Sequence, residues 1–195
     1  MDFTDVVRKR RMVRNFTPEP VEPEVIERIV TLTRRAPSAG FAQGQSFIVV
    51  TQEQTKKEIA KLCREEEYTS HGVHPFLSTA PVLIVACTCE AAYHRRYQKV
   101  VDAGEDVSWH VPFWHMDVGC AVMVLLLAVV NEGLAASFAG LPSPEYTEEL
   151  KALLHIPAEV MPVGVLPIGH PAPDVGPPRK RSSKPDEEYV HYEMW

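Results

Sequence analysis

Val118-Gly119-Cys120-Ala121-Val122-Met123-Val124-Leu125-Leu126-Leu127-Ala128-Val129-Val130 is the longest apolar run in the chain. It is shorter than the roughly 20 residues needed to cross the hydrocarbon core of a bilayer. A segment that is apolar on every side reads instead as a helix inside a core, here over 115–132 with Gly133 as its stop. It is too apolar to face water, and an obligate dimer is expected.

Outward from this helix, strand-like and helix-like runs alternate. Toward the N-terminus lies a strand over 81–88, then a helix over 90–101 and a loop over 104–112. Further back are a strand over 46–51 and an amphipathic helix over 54–67. Pro23 takes a helix N1 position, and Val25, Ile26, Ile29, Val30 and Leu32 follow at helical spacing. That helix ends by Pro37. Residues 2–11 read as a short basic helix. Toward the C-terminus come a short strand over 134–138, a helix opened by Ser143-Pro144 and running to Leu154, and a strand within 160–169. The class is therefore mixed α and β, α+β with a central sheet flanked by helices.

A chain of 195 residues fits one domain over 1–195. With 45% hydrophobic and 24% charged residues, it can build a core without disulfide staples. The net charge of −6 argues against a nucleic-acid partner, which usually selects a basic excess. Residues 1–14 are charged throughout and lack the apolar stretch of a secretory signal, so no membrane partner is expected. Cys63, Cys87, Cys89 and Cys120 follow no framework spacing and are expected as free thiols in a cytoplasmic protein. After Gly169 the composition changes. Pro171, Pro173, Pro177, Pro178 and Pro185 lead into Tyr189-Val190-His191-Tyr192-Glu193-Met194-Trp195. Such apolar bulk wants a surface to cover. Residues 171–195 are read as an arm laid across a second subunit, with packing onto its own domain as the alternative.

Three segments could carry chemistry. Arg8-Lys9-Arg10-Arg11 with Arg14, and Arg179-Lys180-Arg181 with Lys184, are basic clusters in an acidic protein. Arginine's fork of donors suits a phosphate, although solvated basic faces or an RNA patch explain the composition as well. The loop Ala36-Pro37-Ser38-Ala39-Gly40-Phe41-Ala42-Gln43-Gly44-Gln45 is small and rich in backbone donors, so a flat ligand can approach its main chain. Ser137-Phe138-Ala139-Gly140-Leu141-Pro142 could offer amides to a ring edge, or simply turn the chain. A metal site is not expected, because no paired Cys-x-x-Cys or His-Glu-x-x-His spacing occurs. No Gly-x-Ser-x-Gly elbow supports a serine nucleophile, and Cys87, Cys89 and Cys120 lie in apolar runs where thiols pack. Tyr93, Tyr97, Trp109, Phe113 and Trp114 cluster in a chain otherwise poor in aromatics. They suggest either a wall for a flat acceptor or a self-packed lid.

In order, these pieces resemble the nitroreductase family of flavoproteins over nearly the whole chain. Arg10-Arg11-Met12-Val13-Arg14-Asn15-Phe16 is similar to R-R-S-V-R-x-F, with Met12 in place of serine. Ala36-Pro37-Ser38-Ala39-Gly40-Phe41-Ala42-Gln43 is similar to A-P-S-A-G-N-x-Q, with Phe41 in place of asparagine. Asp117-x-Gly119 with Leu125-Leu126-Leu127-Ala128 resembles the family's interface helix, and Gly133-Leu134 with Gly140 resembles its flavin-edge loop. Val165-Leu166-Pro167-Ile168-Gly169 and the final Val190–Trp195 stretch resemble its last strand and tail.

The resemblance implies a mixed sheet flanked by helices, an interlocked homodimer, and two FMN sites shared between subunits. It implies that Arg10, Arg11 and Met12 meet the FMN phosphate and ribityl chain, with Arg179 and Arg181 on the phosphate. Arg14 falls near the pyrimidine side and could stabilise negative charge near N1. Pro37, Ser38 and Ala39 come from the partner, Gln43 is a further cofactor-binding candidate, and the Ala139 and Gly140 amides face the flavin edge. Trp109 and Phe113 are candidates for the acceptor site. The implied activity is hydride transfer from NADH or NADPH through FMN to a nitroaromatic, quinone or similar small molecule by ping-pong turnover. The alternatives are a specialised oxidase, reductive dehalogenase or flavin-cleaving enzyme, or a non-catalytic flavin- or nucleic-acid-binding protein.

Overall fold

The computed structural model describes residues 1–104, 107–173 and 183–195. Four strands form one sheet in the order β1 (Gln45–Val50), β2 (Val82–Thr88), β4 (Met161–Gly169), β3 (Ala135–Ala136). Each neighbouring pair is antiparallel, with Val85 opposite Val165 at the centre. A parallel element enters at the β3 edge, where Met12 bridges Ala136 and the Val13 amide donates to the Ala136 carbonyl at 2.9 Å. The N-terminal segment is thereby fixed to the sheet.

β2 is buried at every position, which is why 82–88 is a continuous apolar run instead of an alternating one. Its successive side chains feed two cores. Val82, Ile84 and Ala86 meet Ile26 and Ile29 of α2 (Pro23–Thr33) and Leu125, Leu126 and Val129 of α6 (Phe113–Asn131). Leu83, Val85 and Cys87 face Ile59 of α3 (Glu53–Leu62), Phe76, and Leu150 of α7 (Pro144–Leu154).

The central helix α6 begins two residues before its expected start. At 19 residues it is long and apolar enough to cross a membrane by length and composition, unlike the shorter run read from the sequence. Its packing is that of a core helix, but on one side only. Val118, Ala121, Leu125 and Val129 are buried, while Met116, Gly119, Cys120 and Met123 form an exposed stripe. These positions recur at three- and four-residue steps, one face of a helix. Cys120, expected to pack, lies on that open face.

Other differences have local causes. The helix expected over 54–67 divides into α3 and α4 (Glu65–Ser70), because Arg64 takes φ 54° and reverses the backbone. The turn swings Glu65 inward, where its carboxylate accepts from the amides of Phe76 (2.6 Å), Leu77 (2.5 Å) and Ser78 (3.2 Å). The strand expected over 134–138 pairs regularly only at Ala135–Ala136. α1 (Phe3–Lys9) stops before Arg10 and Arg11. α5 (Glu90–Asp102) follows its expected range closely. Ser143 precedes α7 without capping it, since its hydroxyl donates to Glu145. At the end of the chain, α8 (Asp186–Tyr189) was not expected. Tyr189, Tyr192, Met194 and Trp195 are exposed, so the described part of the arm does not pack on its own domain.

Candidate functional site

The first part of the site lies at the C-terminal end of α6. Gly133, at φ 78°, turns the chain out of the helix, and its amide donates to Val130. α1 ends beside this turn. Arg10 and Arg11 follow it, both half-buried, and Arg11 borders a cavity of about 190 Å³ with Lys9, Val13, Gly133 and Ala135. Met12 is exposed on the strand edge. Arg14 is exposed and stands over the ring of Phe76. Arg179 and Arg181 lie outside the described residues.

The next part is the turn after β3. The Ala139 amide donates to Val165 at 2.9 Å and the residue is buried, so this amide is engaged within the sheet. Gly140 differs. It is exposed, and a Cβ placed on it would meet nothing within 4 Å. At Gly164 a Cβ would run into the Phe138 ring, so glycine is required there for packing. At Gly140 no such reason exists, and the open space suits a flat group lying against the backbone. The hydroxyl of Ser137 in the same turn is fully buried without a hydrogen-bond partner among the described residues. Beyond Gly140, Leu141 and Pro142 border a groove of about 640 Å³ shared with Thr88, Trp114 and Met161. That volume is in the range of small-molecule sites.

The third part, the loop 37–43, lies near the other end of α6. The loop, with a short 3-10 turn over Ala39–Phe41, carries three constraints. The Ala39 amide donates to Asp117 Oδ2 at 2.8 Å, the Arg96 Nε donates to the Gly40 carbonyl at 2.6 Å, and the Gln43 amide donates to Ser38 Oγ at 3.0 Å. Pro37, Gly40, Phe41 and Gln43 are exposed, while Ser38 and Ala39 are half-buried. The Ser38 hydroxyl accepts from Gln43 and keeps its own hydrogen to donate elsewhere. Gly40 and Gly44 lie against tyrosine rings. A Cβ on Gly40 would come within 2.5 Å of the Tyr97 hydroxyl, and one on Gly44 within 2.5 Å of the Tyr93 ring.

The aromatic residues form one cluster. Trp109 makes edge contacts with Tyr97 (5.1 Å between ring centroids), Phe113 (6.0 Å), Tyr93 (6.2 Å) and Trp114 (6.3 Å). The segment before α6 is thus docked onto α5, and Trp109 and Phe113 are both half-buried. Their self-packing is real, yet each keeps a surface open.

Within one chain the basic segment and the loop 37–43 do not converge. Asp117 and the loop 37–43 lie near the start of α6, whereas Arg11 and Gly133 lie at its end. At 1.5 Å per residue, Asp117 and Asn131 are about 21 Å apart along the helix. No group of three or more His, Cys, Asp or Glu side chains that could hold a metal occurs among the described residues. Burial pushes the Cys63 thiol up to about 12 and the Cys87 thiol up to about 11, so neither is a ready nucleophile. Asp117, Arg96 and Glu65 were not singled out as site residues from the sequence. The one available signal was Asp117 itself, an acid at the head of an apolar helix.

The family model for the nitroreductase family matches residues 7–170 of the chain. An iodotyrosine deiodinase of Haliscomenobacter hydrossis is 30% identical over 189 residues, covering 88% of this chain and 80% of that protein. A Bacillus subtilis protein named FMN reductase [NAD(P)H] is 26% identical over 198 residues, covering 95% of this chain and 71% of its own. The crystal structure of a nitroreductase family protein from Clostridium novyi NT superposes with a TM-score of 0.72 at 22% identity, covering 89% of this chain and 87% of that one, and so shares the fold. The match to the family model spans well over half of the chain, and the chain belongs to the nitroreductase family.

Proposed function

We propose that this chain is an FMN-dependent oxidoreductase acting as a homodimer, with NADH or NADPH as reductant and a nitroaromatic, quinone or similar small molecule as acceptor. The observation that carries the reading is the separation of the two site halves by the length of α6. A second copy seated on the stripe of Met116, Gly119, Cys120 and Met123 would bring its loop 37–43 to the basic segment of the first. The exposed arm over 183–195 would then cover the partner instead of facing solvent.

FMN, when bound, supplies the redox chemistry. Around it the chain would provide anchoring and charge. Arg10 and Arg11, with Arg179 and Arg181, would hold the phosphate through charge-assisted hydrogen bonds. Gly140 would let the backbone lie close to the ring edge, and Arg14 would stabilise negative charge developing near N1. Ser38 would donate its free hydroxyl hydrogen from the partner side. Trp109 and Phe113 would limit the space open to a flat acceptor. A similar Bacillus subtilis relative is named for FMN and NAD(P)H, which supports the same cofactors here.

The test is direct. The purified protein should carry flavin absorbance and oxidise NADH or NADPH when a nitroaromatic or quinone is added. A colourless protein that fails to take up added FMN would overturn the reading. The 30% identity to an iodotyrosine deiodinase favours one second reading, reductive dehalogenation. Iodide release from iodotyrosine by the reduced protein, without turnover of nitroaromatics, would establish it instead.

A further inference from the structure

We propose that Asp117 is a positioning residue for the cofactor site, holding the loop 37–43 in shape and linking it to the helix on which the second copy seats. The inference rests on the FMN-dimer reading above, and its test separates the two.

A carboxylate four residues into an apolar helix is an expensive choice. Burying it removes hydration that an apolar side chain would not lose. Asp117 is buried at 8% exposure, and one of its oxygens accepts two hydrogen bonds. The Ala39 amide reaches Oδ2 at 2.8 Å and the Tyr93 hydroxyl reaches the same atom at 2.7 Å. Tyr93 is fully buried on α5, and burial together with the Asp117 bond pushes its phenol above the ordinary tyrosine value, so it stays a donor. A single acceptor thus ties α5, α6 and the loop.

The loop needs such a tie. Gly40, Phe41 and Gln43 have φ of 58°, 57° and 52°. Phe41 and Gln43 carry a Cβ, which makes this region unfavourable for them, and strained backbone persists only where its surroundings over-determine it. Two of the surrounding restraints are the Ser38 hydroxyl accepting from the Gln43 amide inside the loop and Arg96, on α5, donating to the Gly40 carbonyl. Asp117 provides the third, and alone among them it is on α6. Its helix neighbours Met116 and Gly119 are on the open apolar face. Seating a second copy there would therefore act on the same turn of helix that orients the loop that copy receives. The Ala39 amide does not itself reach out to a ligand, because Asp117 already holds it. What Asp117 does is aim Ser38 and the loop backbone.

Two measurements on the whole chain test this. The first is FMN affinity by fluorescence titration. Asp117→Ala should weaken it by about tenfold, the order of losing one hydrogen bond from the misplaced Ser38 or loop backbone. Asp117→Asn should recover most of the affinity, since its amide oxygen can accept both bonds. The second needs no flavin. Hydrogen exchange at the Ala39 amide of the apoprotein should accelerate in Asp117→Ala and return toward wild type in Asp117→Asn, with β2 and β4 amides still protected. If Asp117→Ala does not fold, Asp117→Leu fills the space without an acceptor and gives the same comparison. Unchanged Ala39 exchange in the folded alanine or leucine variant overturns the inference, whatever the flavin does. Wild-type protein that binds no FMN overturns the functional reading instead, while the exchange result still decides the role of Asp117.

Discussion

The guanidinium carbon of Arg14 lies 5.6 Å from the centroid of the Phe76 ring, and the backbone of Phe76 is itself held by buried Glu65. A charge that would sit near the flavin thus rests on a ring whose place is set on the far side of the sheet. Arg14→Ala should keep its FMN but be reduced by NADH or NADPH about 100-fold more slowly, as expected for loss of one charge-stabilising group. Stopped-flow reduction followed at the flavin bands checks it. Glu65→Ala leaves three backbone amides without their acceptor, costing about 3–5 kcal/mol. At about 2–4 °C per kcal/mol, the melting temperature should fall by roughly 6–20 °C.

The phosphate end of the site is tested by charge removal. Arg10→Ala and Arg181→Ala should each lower FMN affinity about 10- to 100-fold, the worth of one charge-assisted contact. An affinity unchanged in either variant removes that residue from the phosphate site.

Met123 is 47% exposed at the centre of the open α6 face. Met123→Asp places a charge where a second copy is expected to pack. Sedimentation should show monomers, and flavin occupancy should fall with them if the proposed site draws on both chains. Deleting residues 186–195 should lower dimer stability and occupancy together. A variant that is monomeric and fully loaded with FMN contradicts the shared site.

Trp109 packs on Phe113 and on Tyr97 of α5, so the roles of these rings as wall and as lid must be separated. Trp109→Ala and Phe113→Ala should lower kcat/KM for the acceptor while hydride uptake and FMN content persist. Each half-reaction is measured on its own by stopped-flow. If folding or flavin is lost instead, the rings serve packing; if acceptor kinetics are those of wild type in both, neither residue lines the pocket.

The buried thiols set an alkaline limit. Cys63 and Cys87 are raised from 9.0 to about 12 and about 11 by burial. Between pH 9 and 11 the unfolded chain gives up these protons and the folded chain keeps them. Stability is therefore complete below pH 9 and falls above it, by about 1.4 kcal/mol per pH unit for each thiol. Urea unfolding at pH 8 and pH 10.5 measures the loss, and the Cys63→Ala/Cys87→Ala pair should remove most of it, leaving the part due to the raised Tyr93 phenol.

The sequence by itself determined the parts that depend on local pattern. A continuous apolar run can only be buried, so α6 and β2 were legible, as was Pro23 at the start of α2. The spacing of Arg10 to Phe16 and of Ala36 to Gln43 carried the family resemblance, because glycine, proline and arginine at those steps reflect backbone and charge demands that pattern alone records. Tertiary structure decided the rest. Nothing local told Glu65 to break the helix over 54–67; its reward is a set of amides 11 to 13 residues away. Nothing local separated Ala139 from Gly140 either, for the amide of the first is taken by Val165, on a strand that returns only after α7. Asp117 showed in the sequence as an acid in an apolar helix, but its partners, Ala39 and Tyr93, are 78 and 24 residues distant. Long-range hydrogen bonds of this kind have no periodicity, so only the folded chain reveals which groups meet.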